Sequence, residues 1–101
     1  MATVRRSPQA ETDLETILED LQQKNPAVAE RYANDFYDKG KALAQFPEIG
    51  RIRPEIAPHV RSTLVYPYVI FYRIEGDEVQ ILRILHGKRD LRRIMREEAN
   101  E

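Results

Sequence analysis

Three short stretches of this chain concentrate side chains capable of chemistry. Leu85-His86-Gly87-Lys88-Arg89-Asp90 sets an imidazole, two cations and a carboxylate side by side. Gly50-Arg51-Ile52-Arg53 carries two alternating guanidiniums, which an extended backbone would aim to one side. Arg61 heads a β-prone run and is followed by Ser62. Guanidinium groups grip carboxylates and phosphates bidentately and stabilise a developing anion. They do not accept a proton at neutral pH, because arginine stays protonated. Of the candidates Arg51, Arg53, Arg61, His86 and Arg89, only His86 has the chemistry of a general base. Each also has a plainer reading. Arg51 and Arg53 suit solvated loop arginines, and Arg61 suits a charge guarding an edge strand. His86 suits a strand cap, and Asp90 suits a helix N-cap or a salt-bridge mate.

Most other chemistries lack their residues. There is no cysteine, so no disulfide framework, thiolate metal site or cysteine nucleophile is expected. The only histidines are His59 and His86, with no metal-ligand spacing between them, so no metal is expected. The four glycines are isolated, so no phosphate-cradling loop and no cofactor is expected. No Ser/His/Asp arrangement stands out.

The elements that must position these residues can be read from caps and periodicity. Thr3-Val4-Arg5-Arg6 suits an edge strand. Ser7-Pro8 is an N-cap followed by a proline at the first helical position, and Ala10, Leu14, Ile17, Leu18 and Leu21 form one stripe, so a helix is expected over 8–23. Asn25-Pro26 repeats the cap signal and opens a second helix to about 45. Gly40 on its apolar stripe is expected to allow close helix contact. Two helices so closely linked form an antiparallel hairpin. Residues 47–54, with one Gly and two Pro, read as an irregular crossing segment. Strands follow over Val60–Tyr66, Tyr68–Ile74 and Val79–Leu85, the last two joined by a tight turn centred on Gly76-Asp77. Simple alternation places Val79, Ile81 and Leu85 on one face of the last strand and Leu82 and Ile84 on the other, so it should be central or helix-covered. Residues 89–99 read as a short C-terminal helix with a thin apolar stripe. The expected fold is α+β, one domain over residues 1–101, with an N-terminal helical hairpin on a small antiparallel sheet.

The 101 residues are 42% hydrophobic and 33% charged, enough for one modest core. Nothing approaches the apolar length of a membrane span, and no signal-peptide pattern is seen, so a cytoplasmic protein is expected. The formal net charge is −1, but it is unevenly distributed. Residues 1–50 carry six basic and nine acidic groups, whereas residues 51–96 carry ten basic and five acidic, and nine of those ten are Arg. The total argues against independent binding of naked nucleic acid. The Arg bias argues for a binding face directed at a specific acidic partner.

Pro47-Glu48-Ile49-Gly50-Arg51, Arg61, Tyr68-Val69-Ile70-Phe71-Tyr72-Arg73-Ile74 and Ile84-Leu85-His86-Gly87-Lys88-Arg89-Asp90 together resemble toxins of the RelE/ParE toxin–antitoxin superfamily, closest to the ParE branch. The resemblance runs from the first helix to Asp90. It implies a helical hairpin on an antiparallel sheet and a toxin with no cofactor or metal. RelE-type members are ribosome-dependent mRNA endonucleases that place basic residues at positions matching Arg61 and Arg89, with others near Arg51 and Arg53. They also place a tyrosine a few residues past the position of Arg89. Here that stretch is Asp90-Leu91-Arg92-Arg93-Ile94-Met95-Arg96, and the last tyrosine is Tyr72. ParE-type members share the fold but poison DNA gyrase. The resemblance therefore implies a gyrase-inhibiting toxin held in a hetero-oligomer by a ParD-like antitoxin. Arg51, Arg53, Arg61, His86 and Arg89 are the expected contact residues. Such an antitoxin is expected on the hairpin stripe and the Arg-rich sheet face. The alternatives are an mRNA endonuclease using Arg61, Arg89 and His86, or a non-toxic homologue that only binds an antitoxin.

Overall fold

The computed structural model describes residues 1–99, as β1 (Thr3–Arg6), α1 (Pro8–Lys24), α2 (Pro26–Gln45), β2 (Arg51–Ile52), β3 (Arg61–Val65), β4 (Tyr68–Glu75), β5 (Glu78–His86) and α3 (Leu91–Ala99). A 3₁₀ turn over Pro47–Ile49 links α2 to β2. The expected α+β fold, with its N-terminal hairpin and short C-terminal helix, is present.

Both hairpin helices start where their caps say. Ser7 Oγ accepts from the Ala10 N–H at 3.0 Å, and the same hydroxyl donates to the Leu82 carbonyl at 2.8 Å. One side chain thus caps α1 and ties its first turn to β5. Asn25 ends α1 and caps α2, its Oδ1 accepting from Ala27 at 3.1 Å and Val28 at 3.4 Å. Reuse of one residue leaves no loop, so α2 must fold straight back on α1.

The sheet order is β1-β5-β4-β3-β2. It is antiparallel from β2 to β5, and β1 joins in parallel beside β5, with Val4 opposite Val79. Residues 51 and 52, expected in an irregular segment, form the opposite edge strand because Arg51 and Ile52 pair with Ser62 and Arg61. The β4–β5 turn has positive φ at Gly76, the first of its two central residues, which glycine supplies without steric cost.

Interior strand β4 alternates between two cores. Ile70 and Tyr72 face the hairpin with Ala10, Phe36, Leu43, Val79, Ile81 and Ile84. Val69 and Phe71 face the other way, into a second core made with Ile56, Val60, Leu85 and Met95. Strand β5 departs from simple alternation. Phe71 pairs with Arg83 but Tyr72 pairs with Ile81, so Leu82 is an extra residue in a bulge. The bulge corrects the expected faces: Ile84 joins Val79 and Ile81 under the hairpin, while Leu85 turns to the second core. Asp13 on α1 secures it, accepting from Arg83 Nε at 2.8 Å, Arg83 Nη2 at 3.0 Å and the Ile84 N–H at 2.9 Å. Two further expectations fail for packing reasons. The hairpin's apolar stripe forms the first core and is not a free surface for a partner. Gly40 makes no close helix contact, since a Cβ there would meet nothing within 4 Å.

Candidate functional site

The sheet register separates the candidate residues into three places. Arg51 lies opposite Ser62, which lies opposite Phe71, so Arg51 belongs to the face of the second core. Arg53 reaches the same side, as its alternation with Arg51 implies. Its Nη1 donates to Ser62 Oγ at 3.1 Å, its Nε to Glu55 Oε2 at 2.9 Å, and its guanidinium lies 5.8 Å from the Phe71 ring centre. The Arg53 hydrogen bond holds the Glu55 carboxyl below its ordinary value. Arg53 is thus engaged in folding back the 53–60 loop, whereas Arg51 is exposed.

Arg61 lies opposite Tyr72, on the hairpin face. Its Nη1 donates to the Gly50 carbonyl at 2.9 Å and the Glu48 carbonyl at 3.2 Å. Tyr72 completes this latch from below. Its buried hydroxyl donates to the Pro47 carbonyl at 2.8 Å and accepts from the Gly50 N–H at 2.8 Å. Gly50 is required here by close approach: a Cβ would collide with Tyr72 Oη and come within 2.8 Å of the Ser62 carbonyl oxygen. Burial pushes the Tyr72 phenol above its ordinary value, and the Gly50 N–H and the Arg61 charge only partly oppose this. With both hydrogen-bonding roles occupied and its proton held tightly, Tyr72 is suited to positioning the segment and unsuited to accepting a proton.

His86 and Arg89 do come together, at the far end of the sheet. They share a cleft of about 490 Å³ with Asp20, Lys24 and Tyr68 between α1 and the end of β5. The Lys88 N–H donates to His86 Nδ1 at 3.1 Å, which leaves Nε2 as the protonated nitrogen of the neutral ring. The ring stands edge-on to Tyr68, 5.6 Å between centres. His86 pairs with Tyr68 and Arg61 with Tyr72, so they sit on opposite flanks of β4. Four residues of strand separate their levels, about 13 Å. The five candidates therefore do not form one continuous basic face. Asp90 fills both of its expected roles: Oδ1 accepts from the Arg93 N–H at 3.2 Å as the α3 N-cap, and Oδ2 lies 3.8 Å from Arg93 Nε.

Sequence reasoning missed an apolar rim around the latch. Phe46, Ile49 and Ile52 are each about half exposed, at 59%, 49% and 52%. The signal was three apolar residues in a segment that follows neither helical nor strand periodicity. Among the described residues, no group of His, Asp and Glu could hold a metal ion, and no helix is long and apolar enough to cross a membrane.

A family model described as the ParE toxin of type II toxin–antitoxin systems, parDE, matches residues 4–91. Toxin ParE3 of Caulobacter vibrioides is 34% identical over 92 residues, covering 90% of this chain and 92% of the relative. Toxin RelE2 of the same organism is 34% identical over 89 residues, covering 88% and 99%. Toxin ParE1 of Mycobacterium tuberculosis is 30% identical over 89 residues, covering 86% and 91%. Among solved structures, a chain of the chromosomal ParDE TA system from P. aeruginosa superposes with a TM-score of 0.70 at 29% identity, covering 85% of this chain and 96% of that one.

Proposed function

The chain belongs to the ParE toxin family of type II toxin–antitoxin systems, and from that premise we propose that it inhibits DNA gyrase by binding and is neutralised by a ParD-like antitoxin in a hetero-oligomer. The observation that carries the binding reading is that the candidate arginines are split: Arg51, Arg53 and Arg61 lie away from His86, which has only Arg89 of the five candidates beside it. Arg61 is turned onto backbone carbonyls, Tyr72 is closed into the latch, and His86 stands at the other end of the sheet. RNA cleavage needs a proton acceptor within hydrogen-bond reach of the 2′-OH and cations on the same phosphate. The exposed Phe46–Ile49–Ile52 rim around the Arg61 latch instead suits a protein contact through apolar anchors. An acidic, amphipathic antitoxin segment that orders on binding fits the same rim. His86 and Arg89 make a second contact point. Either target, gyrase or ribosome, requires the chain in the cytoplasm.

The mRNA endonuclease reading is kept alive by one finding, the 34% identity to a RelE-named toxin over 99% of its length. Adding the purified chain to a gyrase supercoiling reaction and, in parallel, to programmed ribosomes separates the two. Gyrase-linked DNA breaks with intact mRNA are expected. Cleaved mRNA with unaffected gyrase would overturn the proposal, and inactivity in both would favour a non-toxic antitoxin binder. Arg61→Ala and Arg89→Ala are expected to relieve growth inhibition at least tenfold in plating efficiency. Because Arg61 also holds the rim segment, a thermal melt must accompany that variant. Full toxicity in both would refute the site assignment.

A further inference from the structure

We propose that the solvent face of α3 and its approach form a docking surface for the phosphodiester backbone of nucleic acid, read without regard to sequence. The surface goes beyond the toxin reading and stands whichever way the gyrase assay falls. Lys88, Arg89, Arg92, Arg93 and Arg96 are all exposed. Arg92 and Arg96 stand one helical turn apart, about 6 Å along the axis. Among the described residues, Arg89, Arg92 and Arg96 form no ion pair, and Arg93 has only a long contact to Asp90.

The rest of α3 determines what can dock. Leu91, Ile94 and Met95 are turned into the second core, Met95 to 1% exposure. Among the described side chains of the helix, the apolar ones are all packed on the second core, which leaves none on the outer face to insert into a bilayer as a membrane-surface helix needs. The shallow groove on its outer side is lined by Asp90, Arg92, Arg93, Arg96 and Glu97. Nothing apolar lines it, so it lacks the anchor pocket on which protein partners depend. Regularly spaced guanidiniums without an apolar floor match a polyanion of regular charge. Molecular polarity helps. The hairpin, with eight acids against four bases, covers the opposite face of the sheet, so an approaching polyanion is repelled there and drawn to α3. This segregation is why a chain of net charge −1 can still present a cationic face.

The test is fluorescence anisotropy of a labelled mixed-sequence duplex titrated with the purified full chain. If three to five phosphates are neutralised, affinity falls by roughly 40-fold to 500-fold between 50 and 200 mM salt. The triple variant Arg92→Gln/Arg93→Gln/Arg96→Gln, confined to the α3 groove, should lose most binding and flatten the salt slope, with an unchanged thermal melt. A control removing equal charge elsewhere, Arg5→Gln/Arg31→Gln/Lys41→Gln, should bind as the parent does. No saturable binding at 50 mM salt would overturn the proposal. So would equal loss in the control, or tighter binding to polyglutamate or to anionic lipid vesicles than to the duplex.

Discussion

At the scale of single residues, the sequence makes chemical types legible but not their company. His86 and the arginines stand out by chemistry alone. What each one faces depends on register, and register is set by pairing partners far along the chain. Arg61 shows the difference, since its charge is spent on the carbonyls of Glu48 and Gly50. Tyr72 shows it more strongly, because nothing in its local pattern marks it as a latch. Tyr72→Phe removes one hydroxyl but leaves the Gly50 N–H and the Pro47 carbonyl unpaired, and should cost about 1–3 kcal/mol in urea unfolding near pH 7. The pH dependence supplies a sharper check. The phenol's folded value is raised above the ordinary value of about 10, so its stabilising contribution is complete below pH 10 and is lost as pH rises towards the folded value. The gap between parent and Tyr72→Phe should therefore narrow above pH 10. Curves that stay parallel there would rule out this account.

At the scale of elements, start signals were more legible than pairing. Ser7, Asn25 and the prolines behind them mark both hairpin helices, because capping is a local interaction. The bulge at Leu82 was not legible, since an extra residue in an apolar strand leaves its composition unchanged. Edge strand β2 was missed because two residues cannot display a period. Asp13 is the element-level counterpart of the latch, joining α1 to the bulge through Arg83 and the Ile84 N–H. Asp13→Ala should lower stability by about 2–4 kcal/mol, as removal of a carboxylate from a largely buried ion pair leaves its partners short. Asp13→Asn should cost less, since its carbonyl oxygen can still accept from Ile84. Equal losses in chemical denaturation would place the effect in charge alone.

At the scale of the whole molecule, the sheet lies between two covers of opposite charge. The acidic hairpin fills one face and arginine-rich α3 with the 53–60 loop fills the other. A chain ending at Asp90 would uncover Val69, Phe71 and Leu85, and should bind ANS strongly and lose its cooperative melt. Parent-like melting and no dye binding would show that the second cover is dispensable. The parallel seat of β1 beside β5 has a further consequence, in the order of synthesis. Residues 3–6 leave the ribosome well before the strand they need, which is not made until residues 78–81 emerge. The hairpin of α1 and α2 can form early from local contacts, but its apolar side has no sheet to cover until β4 and β5 have been made. A chain built in this way has no finished sheet to offer a partner until β5 has been made.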